Sequence, residues 1–287
     1  MLHPKSPKTD PEDDRIIELW LQTKASASTR EAYARDVADF QNWAADKTLR
    51  DLQLDEILSY TRKMEKDELA PRTRRRKIAA VKSLLTFAFK LGHLPADVGR
   101  PVPLPKIKND LAERILTEEE LLKLVSAEPD HRNQVLIRML YVTGGRVSEV
   151  VGASWRDLQP REDGGQICLF GKRAKTRHVL LPEKLWRDLE EMRAGTSDDS
   201  PLFLSREGER LGRVQAWRIV KAAAKRAGLS WKVSPHWMRH AHASHAIERG
   251  ASVPKVQATL GHGSLQTTMQ YVHARPDESS STHLAIQ

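Results

Sequence analysis

The segment PHWMRHAHASHAIERGASVPKVQATLGHGSLQTTMQY, residues 235–271, contains the polar side chains that most constrain the interpretation of this chain. His236 and Arg239 are three residues apart on a helix that begins at a proline, so they share one helix face. His262 follows a Leu-Gly helix stop, and Tyr271 lies two turns into the next helix. The segment therefore predicts three short helices that carry His, Arg and Tyr side chains on their faces and at their ends.

Two upstream segments add basic residues. In Thr143–Glu149 (TGGRVSE), two glycines allow the backbone to approach a ligand closely, and Arg146 sits at a predicted helix N-terminus, where amides and the helix dipole favour an anion. Gly171–Arg177 (GKRAKTR) is typical of a hairpin turn, with Lys172 and Lys175 at its tip. Both segments predict groups that can contact an anionic ligand.

Two arginines, a lysine, two histidines and a tyrosine in one basic domain suit phosphoryl transfer. Two guanidiniums can clamp the charge on the nonbridging oxygens of a pentacoordinate phosphate. A phenol with a pKa of about 10 needs a base or electrostatic help at neutral pH, and the leaving alkoxide needs an acid, which a hairpin lysine can supply. Because side chains carry the charge, we expect no metal and no cofactor.

The histidine-rich run His236, His240, His242 and His245 raises the alternative of a zinc site. These side chains face different ways on a helix, and the sequence places no Cys or carboxylate nearby to complete a first shell. Cys168 is the only cysteine and lies in an apolar run, which predicts a small core residue. We therefore expect neither a metal site nor a disulfide.

Composition sets the broad class. The chain has 287 residues, of which 39% are hydrophobic, so it can form one large or two ordinary domains. Its formal net charge of +9 favours an anionic partner. Since the sequence shows no secretory signal and no long apolar stretch, we expect a cytoplasmic protein.

Helical periodicity dominates the chain and predicts a mostly α fold with a small antiparallel β-sheet. Predicted helices in the N-terminal part cover Asp13–Thr23, a stretch capped by Ser28 and Glu31 that ends near Ala45, Leu54–Met64, and a helix between Pro71 and Gly92. Further along, predicted helices cover Thr117–Val125, Gln134–Val142, Val147–Ala153, Pro182–Arg193, Arg213–Ala227, Pro235–Arg249, Ser252–Leu260 and Ser264 to about Val272. Short strands are predicted over Gln166–Phe170 and His178–Leu181.

The helix that follows Pro71 has a single sign of charge. From Ala70 to Ala96 there is no Asp or Glu. A solvated helix face normally mixes signs, whereas a one-signed face suits a phosphate backbone. We therefore predict DNA contacts from its basic residues, Arg72, Arg74, Arg75, Arg76, Lys77, Lys82 and Lys90, although a solvated surface remains the alternative.

These boxes resemble, in order and spacing, those of the tyrosine recombinases, the phage integrase family. The matching elements are Gly-Gly-Arg146-Val-Ser-Glu, Gly-Lys172-Arg-Ala-Lys, His236-x-x-Arg239-His, Leu-Gly-His262 and Tyr271, and the resemblance covers roughly residues 13–275. It implies that Arg146 and Arg239 hold the scissile phosphate and that Tyr271 forms a 3′-phosphotyrosyl link.

The resemblance also implies roles for the proton-transfer groups. Lys172 would be the general acid, His236 would assist proton transfer, and His262 would hydrogen-bond the phosphate. Glu149 matches an acidic residue that supports the site. Gly145 stands where the family often has Leu, a departure that we expect to loosen the turn without changing the chemistry.

The implied architecture is the simple, Xer- or Cre-like one, without an arm-binding domain. It predicts a disordered N-terminus (1–12), a helical SAM-like core-binding domain (13–93), a Pro-rich linker (94–112), a catalytic domain (113–275) and a C-terminal tail (276–287). The implied partners are double-stranded DNA with inverted-repeat core sites and three further copies of the chain, with Lys175 among the DNA contacts. A DNA-binding protein that no longer cuts, and a relaxing topoisomerase, are the rival interpretations.

Overall fold

The computed structural model describes residues 10–44, 47–107, 110–171, 176–193 and 195–272. By its internal packing the chain forms two units, Met1–Lys108 and Asn109–Gln287. No described helix is long and apolar enough to cross a membrane.

The described residues of the N-terminal unit form four α-helices, and the starts of the first two follow from local capping. Asp10 and Ser26 accept hydrogen bonds from the backbone N–H groups of Glu12 and Thr29, which begins α1 and α2. The predicted cap at Ser28 was wrong, because Ser26 takes that role two residues earlier. The helices are α1 (Pro11–Gln22), α2 (Ala27–Trp43), α3 (Leu54–Lys66) and α4 (Pro71–Lys90).

The core of this unit forms around Trp20. Its ring is fully buried and stacks on Tyr33, with 5.4 Å between the centroids, while its indole N–H donates to Ser83 Oγ at 3.1 Å. Phe40 and Tyr60 add an edge-to-face pair. These contacts place the apolar face of α4 in the interior, which turns its basic residues towards α2, α3 and solvent.

The acidic partners that α4 itself lacks come from its neighbours. Asp36 on α2 is buried and pairs with Arg76 and, at 3.8 Å, with Lys77, which is itself only 9% exposed. Asp39 also pairs with Lys77, and Glu65 on α3 pairs with Arg74 at 2.5 Å. The single sign of charge along α4 is therefore partly a tertiary complement to α2 and α3.

In the C-terminal unit the described residues form eight α-helices and a three-stranded antiparallel sheet. The helices are α5 (Glu118–Ser126), α6 (His131–Thr143), α7 (Val147–Gly152), α8 (Glu183–Arg193), α9 (Arg213–Arg226), α10 (Pro235–Glu248), α11 (Val253–Leu260) and α12 (Leu265–Val272). The strands are β1 (Leu158–Arg161), β2 (Gly164–Phe170) and β3 (Thr176–Pro182), in the order β1-β2-β3. The predicted fold class is thus confirmed.

One strand escaped prediction, and one core assignment was wrong. Strand β1 pairs with β2 from Leu158↔Ile167 to Arg161↔Gly164, but it contains Pro160 and only one buried residue, so it has no alternating pattern. Cys168 is only half-buried on β2 rather than in the core. The apolar face of α6 takes the central position, and it packs against α10.

Replacing Asp36 by Ala should destabilise the N-terminal unit by about 2–3 kcal/mol, because it removes the buried carboxylate that pairs directly with Arg76 and lies close to Lys77. Asp39→Ala is the matched control, since that carboxylate is largely exposed and should cost about 1 kcal/mol or less. Hydrogen exchange of α2 and α4 amides in the full chain measures both effects. Equal losses in the two variants would contradict the assignment of Asp36 as the buried partner.

Candidate active site

Two left-handed glycines shape the turns that carry the predicted site residues. Gly144 ends α6 with a φ of 55°, and Gly261 ends α11 with a φ of 65°. A Cβ on Gly144 would come within 2.6 Å of Leu260 and 2.9 Å of His242, so only glycine fits the close approach of these helices. Arg146 follows the first turn as the N-cap of α7, and His262 follows the second.

The turn at Gly145 is tightly packed, contrary to the expectation that it loosens the site. Its backbone N–H donates to Thr143 Oγ1 at 3.0 Å. An added Cβ would lie 2.8 Å from Val150 Cγ2 and 2.9 Å from the same Thr143 oxygen. A larger residue here would need a different arrangement of these neighbours, and glycine keeps the turn ordered.

Arg239 is a buried guanidinium that joins both turns. It is 5% exposed, and it donates to the carbonyl oxygens of Gly144 at 2.6 Å and Leu260 at 2.7 Å. Burial and the nearby charge of Arg146 lower its pKa to about 10, so it remains a cation at neutral pH. The positive group predicted on α10 therefore lies between the ends of α6 and α11.

Glu149 bridges two arginines. Its Oε1 accepts from Arg146 Nη1 at 2.6 Å, and its Oε2 accepts from Arg177 Nη2 at 2.6 Å and from the Arg146 backbone N–H at 2.9 Å. Burial raises the pKa of this carboxyl, but the hydrogen bonds from Arg177 and Arg146 outweigh burial and hold the pKa below its usual value. Glu149 is thus an ionised, buried support for both guanidiniums.

Sequence reasoning missed Arg177. It lies on β3, where its side chain is 9% exposed, and its Nε donates to the Thr259 carbonyl oxygen at 2.5 Å. Through Glu149 and Thr259 it connects the sheet with α7 and the end of α11. Its position just beyond the predicted hairpin could have identified it, but the sequence analysis assigned the basic contacts to the lysines at the tip.

His262 and Tyr271 form a stacked pair. Their rings are nearly parallel, with an interplanar angle of 6° and centroids 6.3 Å apart, and His262 Nδ1 lies 2.9 Å from Thr268 Oγ1. Burial and the positive charges of Arg239 and Arg146 lower the pKa of His262 to about 4, which makes it a neutral group at pH 7. Tyr271 is 5% exposed, and burial raises the pKa of its phenol, an effect that Arg239 partly offsets.

A second tyrosine contact involves His240, which sequence reasoning named in the histidine run and at the end of the His236-x-x-Arg239-His box without giving it a role. Its Nδ1 lies 2.9 Å from the Tyr271 hydroxyl oxygen, and the two rings are tilted by 43°. His236, one turn earlier on α10, is exposed; partial loss of hydration and the charges of Arg239 and Arg146 lower its pKa. His236 and Arg239 therefore belong to one electrostatic environment even though only Arg239 is buried.

The hairpin tip, including Lys172 and Lys175, lies outside the described residues. The residues that flank it, Gly171 and Thr176, line a cavity of about 360 Å³ together with Arg146, Arg177, Gln257 and His262. Both ends of the hairpin thus open onto the same space as the first arginine and the second histidine. That space has the size and charge to hold a phosphate group.

The remaining histidines of α10 have structural partners. His242 Nδ1 lies 2.9 Å from the Tyr141 carbonyl oxygen, and His245 Nδ1 lies 3.0 Å from the Tyr141 hydroxyl. Among the residues that the structure describes, one group of potential metal ligands lies close enough together to share an ion. It consists of His131 on α6 and Asp188 and Glu191 on α8. Asp188 there already pairs with Arg138.

Comparison with known proteins agrees with this arrangement. Residues 114–278 match the phage integrase family, and residues 16–92 match the phage integrase N-terminal SAM-like domain. The tyrosine recombinase XerD of Bifidobacterium longum is 30% identical, covering 94% of this chain and 94% of its own length. The XerD of Pseudomonas aeruginosa is 31% identical, with 91% of each chain covered.

Solved structures share the fold. A lambda integrase dimer bound to a COC′ core site superposes with a TM-score of 0.78 at 20% identity, over 93% of this chain and 95% of that one. The XerH site-specific recombinase bound to its difH substrate has a TM-score of 0.72 at 18% identity and is covered completely, as is this chain. The fold is thus that of enzymes that recombine DNA. The chain belongs to the phage integrase family, the tyrosine recombinases, which break and rejoin DNA strands in site-specific recombination.

His262 should make stability depend on pH. Its folded-state pKa of about 4 lies below the value of about 6.5 in an unfolded chain. Between these values the unfolded chain binds more protons, so stability is lost as the pH falls through this window. In the wild-type chain this pH change lowers the free energy of unfolding by at most about 3 kcal/mol. His262→Gln should abolish this contribution, because glutamine does not titrate.

Calorimetric unfolding of the full chain between pH 4.5 and pH 7 measures this dependence. His131→Gln is the control, because that side chain is 48% exposed and lies on the opposite end of α6 from Gly144. An identical pH dependence for wild type and His262→Gln would show that His262 is not held neutral by its surroundings.

Proposed function

We propose that this recombinase cleaves and rejoins DNA through a 3′-phosphotyrosyl intermediate formed by Tyr271, without a metal ion, and acts as a tetramer on two DNA sites. The observation that carries the proposal is the grouping of buried Tyr271 and Arg239 with half-buried His262, within the electrostatic reach of Arg146. A phenol beside guanidiniums is suited to attack an anionic ester, because the cations offset its repulsion from the phosphate and stabilise the added charge of the transition state.

The arginines hold the phosphate in this proposal. Arg239 is fixed by its two carbonyl contacts, and since a guanidinium has five N–H donors, those bonds do not exhaust its capacity. Arg146 is 36% exposed at its side chain and can turn further donors to an entering anion while Glu149 anchors it. Together they would neutralise the nonbridging oxygens that a metal ion holds in other phosphoryl-transfer enzymes.

Protons are handled by the remaining groups. His262, neutral at pH 7, can donate a hydrogen bond to a nonbridging oxygen without adding charge. Lys172 would protonate the 5′ oxygen as the P–O5′ bond breaks, and His236 would assist from the exposed side of the site. The residues on either side of the hairpin tip, Gly171 and Thr176, line the same cavity as Arg146, which supports a role for the hairpin in this site.

DNA contacts of the N-terminal unit are best assigned to the exposed residues of α4. Arg72, Arg75 and Arg76 are exposed, and we propose that they contact phosphates, as does Lys175 at the hairpin. Arg74, Lys77 and Lys82 have protein partners: Glu65, the two aspartates of α2, and the carbonyl oxygens of Arg100 and Val102. Arg75 and Arg76 also have partners, the Pro105 carbonyl oxygen and Asp36, but their guanidiniums are exposed. Arg74, Lys77 and Lys82 are less exposed, so DNA contact by these three requires a larger change of partners.

The assembly on DNA is inferred from relatives. A lambda integrase of the same fold is known as a tetramer bound to a Holliday junction. We propose that four copies of this chain act on two inverted-repeat core sites at the nucleoid. In each copy, residues 13–93 and 113–275 would form the two DNA-binding domains, 94–112 the linker, and 276–287 a tail that packs on a neighbouring copy.

Tyr271→Phe should abolish the covalent protein–DNA adduct while site binding stays nearly unchanged, because only the hydroxyl is removed from a packed ring. A nicked core site, on which the cleaved strand end diffuses away, traps the adduct for detection in denaturing gels. Tyr141→Phe is the matched control, since that hydroxyl is bound to His245. An adduct that persists in Tyr271→Phe would move the nucleophile elsewhere.

Chelators should leave adduct formation unchanged. The arginines supply the charge stabilisation, and losing one such donor should cost about 3–4 kcal/mol of transition-state stabilisation, as Arg146→Ala would measure. Strong inhibition by chelator that Mg²⁺ or Zn²⁺ reverses would contradict the metal-independent mechanism.

Lys172 rather than Lys175 should be the general acid. A substrate with a 5′-bridging phosphorothiolate has a leaving group that needs no proton, so it should restore cleavage to Lys172→Ala but not to Arg146→Ala. Rescue of Lys175→Ala in place of Lys172→Ala would exchange the roles of the two lysines.

A further inference from the structure

The Tyr271 hydroxyl has a specific neighbour on α10. His240 Nδ1 lies 2.9 Å from the phenolic oxygen, a normal hydrogen-bond distance. Tyr271 is 5% exposed and lies on α12, which packs directly against α10. The contact is therefore made inside the protein, between the nucleophile and an imidazole one residue after Arg239.

A buried phenol needs a proton acceptor if it is to attack phosphorus. At its ordinary pKa of about 10, only about one phenol in a thousand is ionised at pH 7, and burial of Tyr271 raises its pKa further. The Arg239 charge favours the phenolate, but it takes up no proton. A group that receives the proton during attack is required in addition to the arginines.

The other two histidines of the site are poorly placed for this task. His262 lies parallel to the Tyr271 ring, so its nitrogen lone pairs lie in a plane parallel to that of the phenol, and its Nδ1 is close to Thr268. Its pKa of about 4 also makes it a weak base. His236 is exposed and stands in the field of Arg239 and Arg146.

We infer that His240 is the general base of strand cleavage, and that its Nδ1 takes the phenolic proton of Tyr271 as the oxygen attacks the scissile phosphate. This inference rests on the proposed function, in which Tyr271 is the nucleophile. It requires the tautomer in which Nδ1 carries a lone pair and Nε2 carries the proton.

Each bond that breaks during cleavage and rejoining is matched by a bond that forms. The O–H bond of Tyr271 breaks, an N–H bond forms at His240 Nδ1, the phenolic oxygen bonds to phosphorus, and the P–O5′ bond breaks with a proton from Lys172. On rejoining, the 5′ hydroxyl gives its proton back to Lys172 as it attacks phosphorus, the bond between phosphorus and the Tyr271 oxygen breaks, and His240 returns its proton to the phenolate. The charged and titratable groups around this pair are Arg239 on α10 and His262 at the turn before α12. His262 in turn lies in the field of Arg146, the N-cap of α7, and of Arg177 on β3.

The test removes the base and then asks whether a more acidic phenol restores cleavage without it. His240→Ala should slow formation of the covalent adduct on a nicked site by about 10²–10⁴-fold, the usual contribution of a general base, while site binding persists. Installing at position 271 a fluorinated tyrosine whose phenol ionises near neutral pH should restore most of that rate. The same tyrosine analogue should give little gain in the protein that retains His240.

His242→Ala is the matched control on the same helix. His242 contacts the carbonyl oxygen of Tyr141 rather than the nucleophile, so whatever cleavage this variant loses should not be restored by the fluorinated tyrosine. His240→Asn keeps a polar group near the hydroxyl but cannot take up a proton, and it should remain slow. Site binding by each variant reports that the protein is folded.

Two outcomes would overturn the inference. If His240→Asn cleaves at the wild-type rate, His240 only positions the hydroxyl. If the fluorinated tyrosine fails to rescue a DNA-binding His240→Ala protein, the proton goes elsewhere. Both are distinct from a failure of the proposed function, because adduct formation at position 271 in the protein with His240 tests that separately.

Discussion

Arg239 donates from a buried guanidinium to the carbonyl oxygens at the ends of two helices, Gly144 at 2.6 Å and Leu260 at 2.7 Å. Helix C-termini carry partial negative charge and unsatisfied carbonyls, so a cation is well placed there. Each end is followed by the turn that carries another site residue: Arg146 after Gly144, and His262 after Leu260. Arg239 therefore ties the ends of α6 and α11 to α10, in addition to the apolar contacts that pack α10 against both helices.

Burial of this cation requires compensation that the surrounding charges supply only in part. Arg146 and Arg177 share the single carboxylate of Glu149, and Arg239 relies on carbonyl dipoles instead of a carboxylate. Among the described groups, the centre of the site thus has more positive than negative charge. Excess positive charge destabilises the empty site and stabilises a bound anion. This arrangement is expected of a site that binds a phosphate in its transition-state geometry.

The sequence was most informative where a residue type and a backbone break coincide. Arg146 beside two glycines, His262 after Leu-Gly, and Tyr271 within a short helix all lie where the motif spacing placed them, because helix stops fix position locally. Arg177 and His240 could not be assigned in this way, since their importance arises from contacts with residues 28 and 31 positions away in the chain. The acidic partners of α4 were invisible for the same reason: Asp36 and Asp39 meet α4 only after the unit folds.

Strand β1 and the Ser26 cap show a different limit. Pro160 and a single buried residue leave β1 without alternation, and its existence depends on pairing with β2. Ser26 and Ser28 are equivalent cap residues by type, and the packing of α2 decides between them. Where an element was predicted, local chemistry thus indicated helix or strand more reliably than it indicated the residue at which the element begins.

The chemical identity of the trapped intermediate tests the central claim most directly. Wild-type protein is incubated with a nicked core site, the DNA is digested to a short remnant, and the modified peptide is sequenced by mass spectrometry. The account predicts a nucleotide joined through its 3′ phosphate to Tyr271. A nucleotide attached to another residue, such as Tyr141, or cleavage that leaves no covalent remnant on the protein, would contradict it.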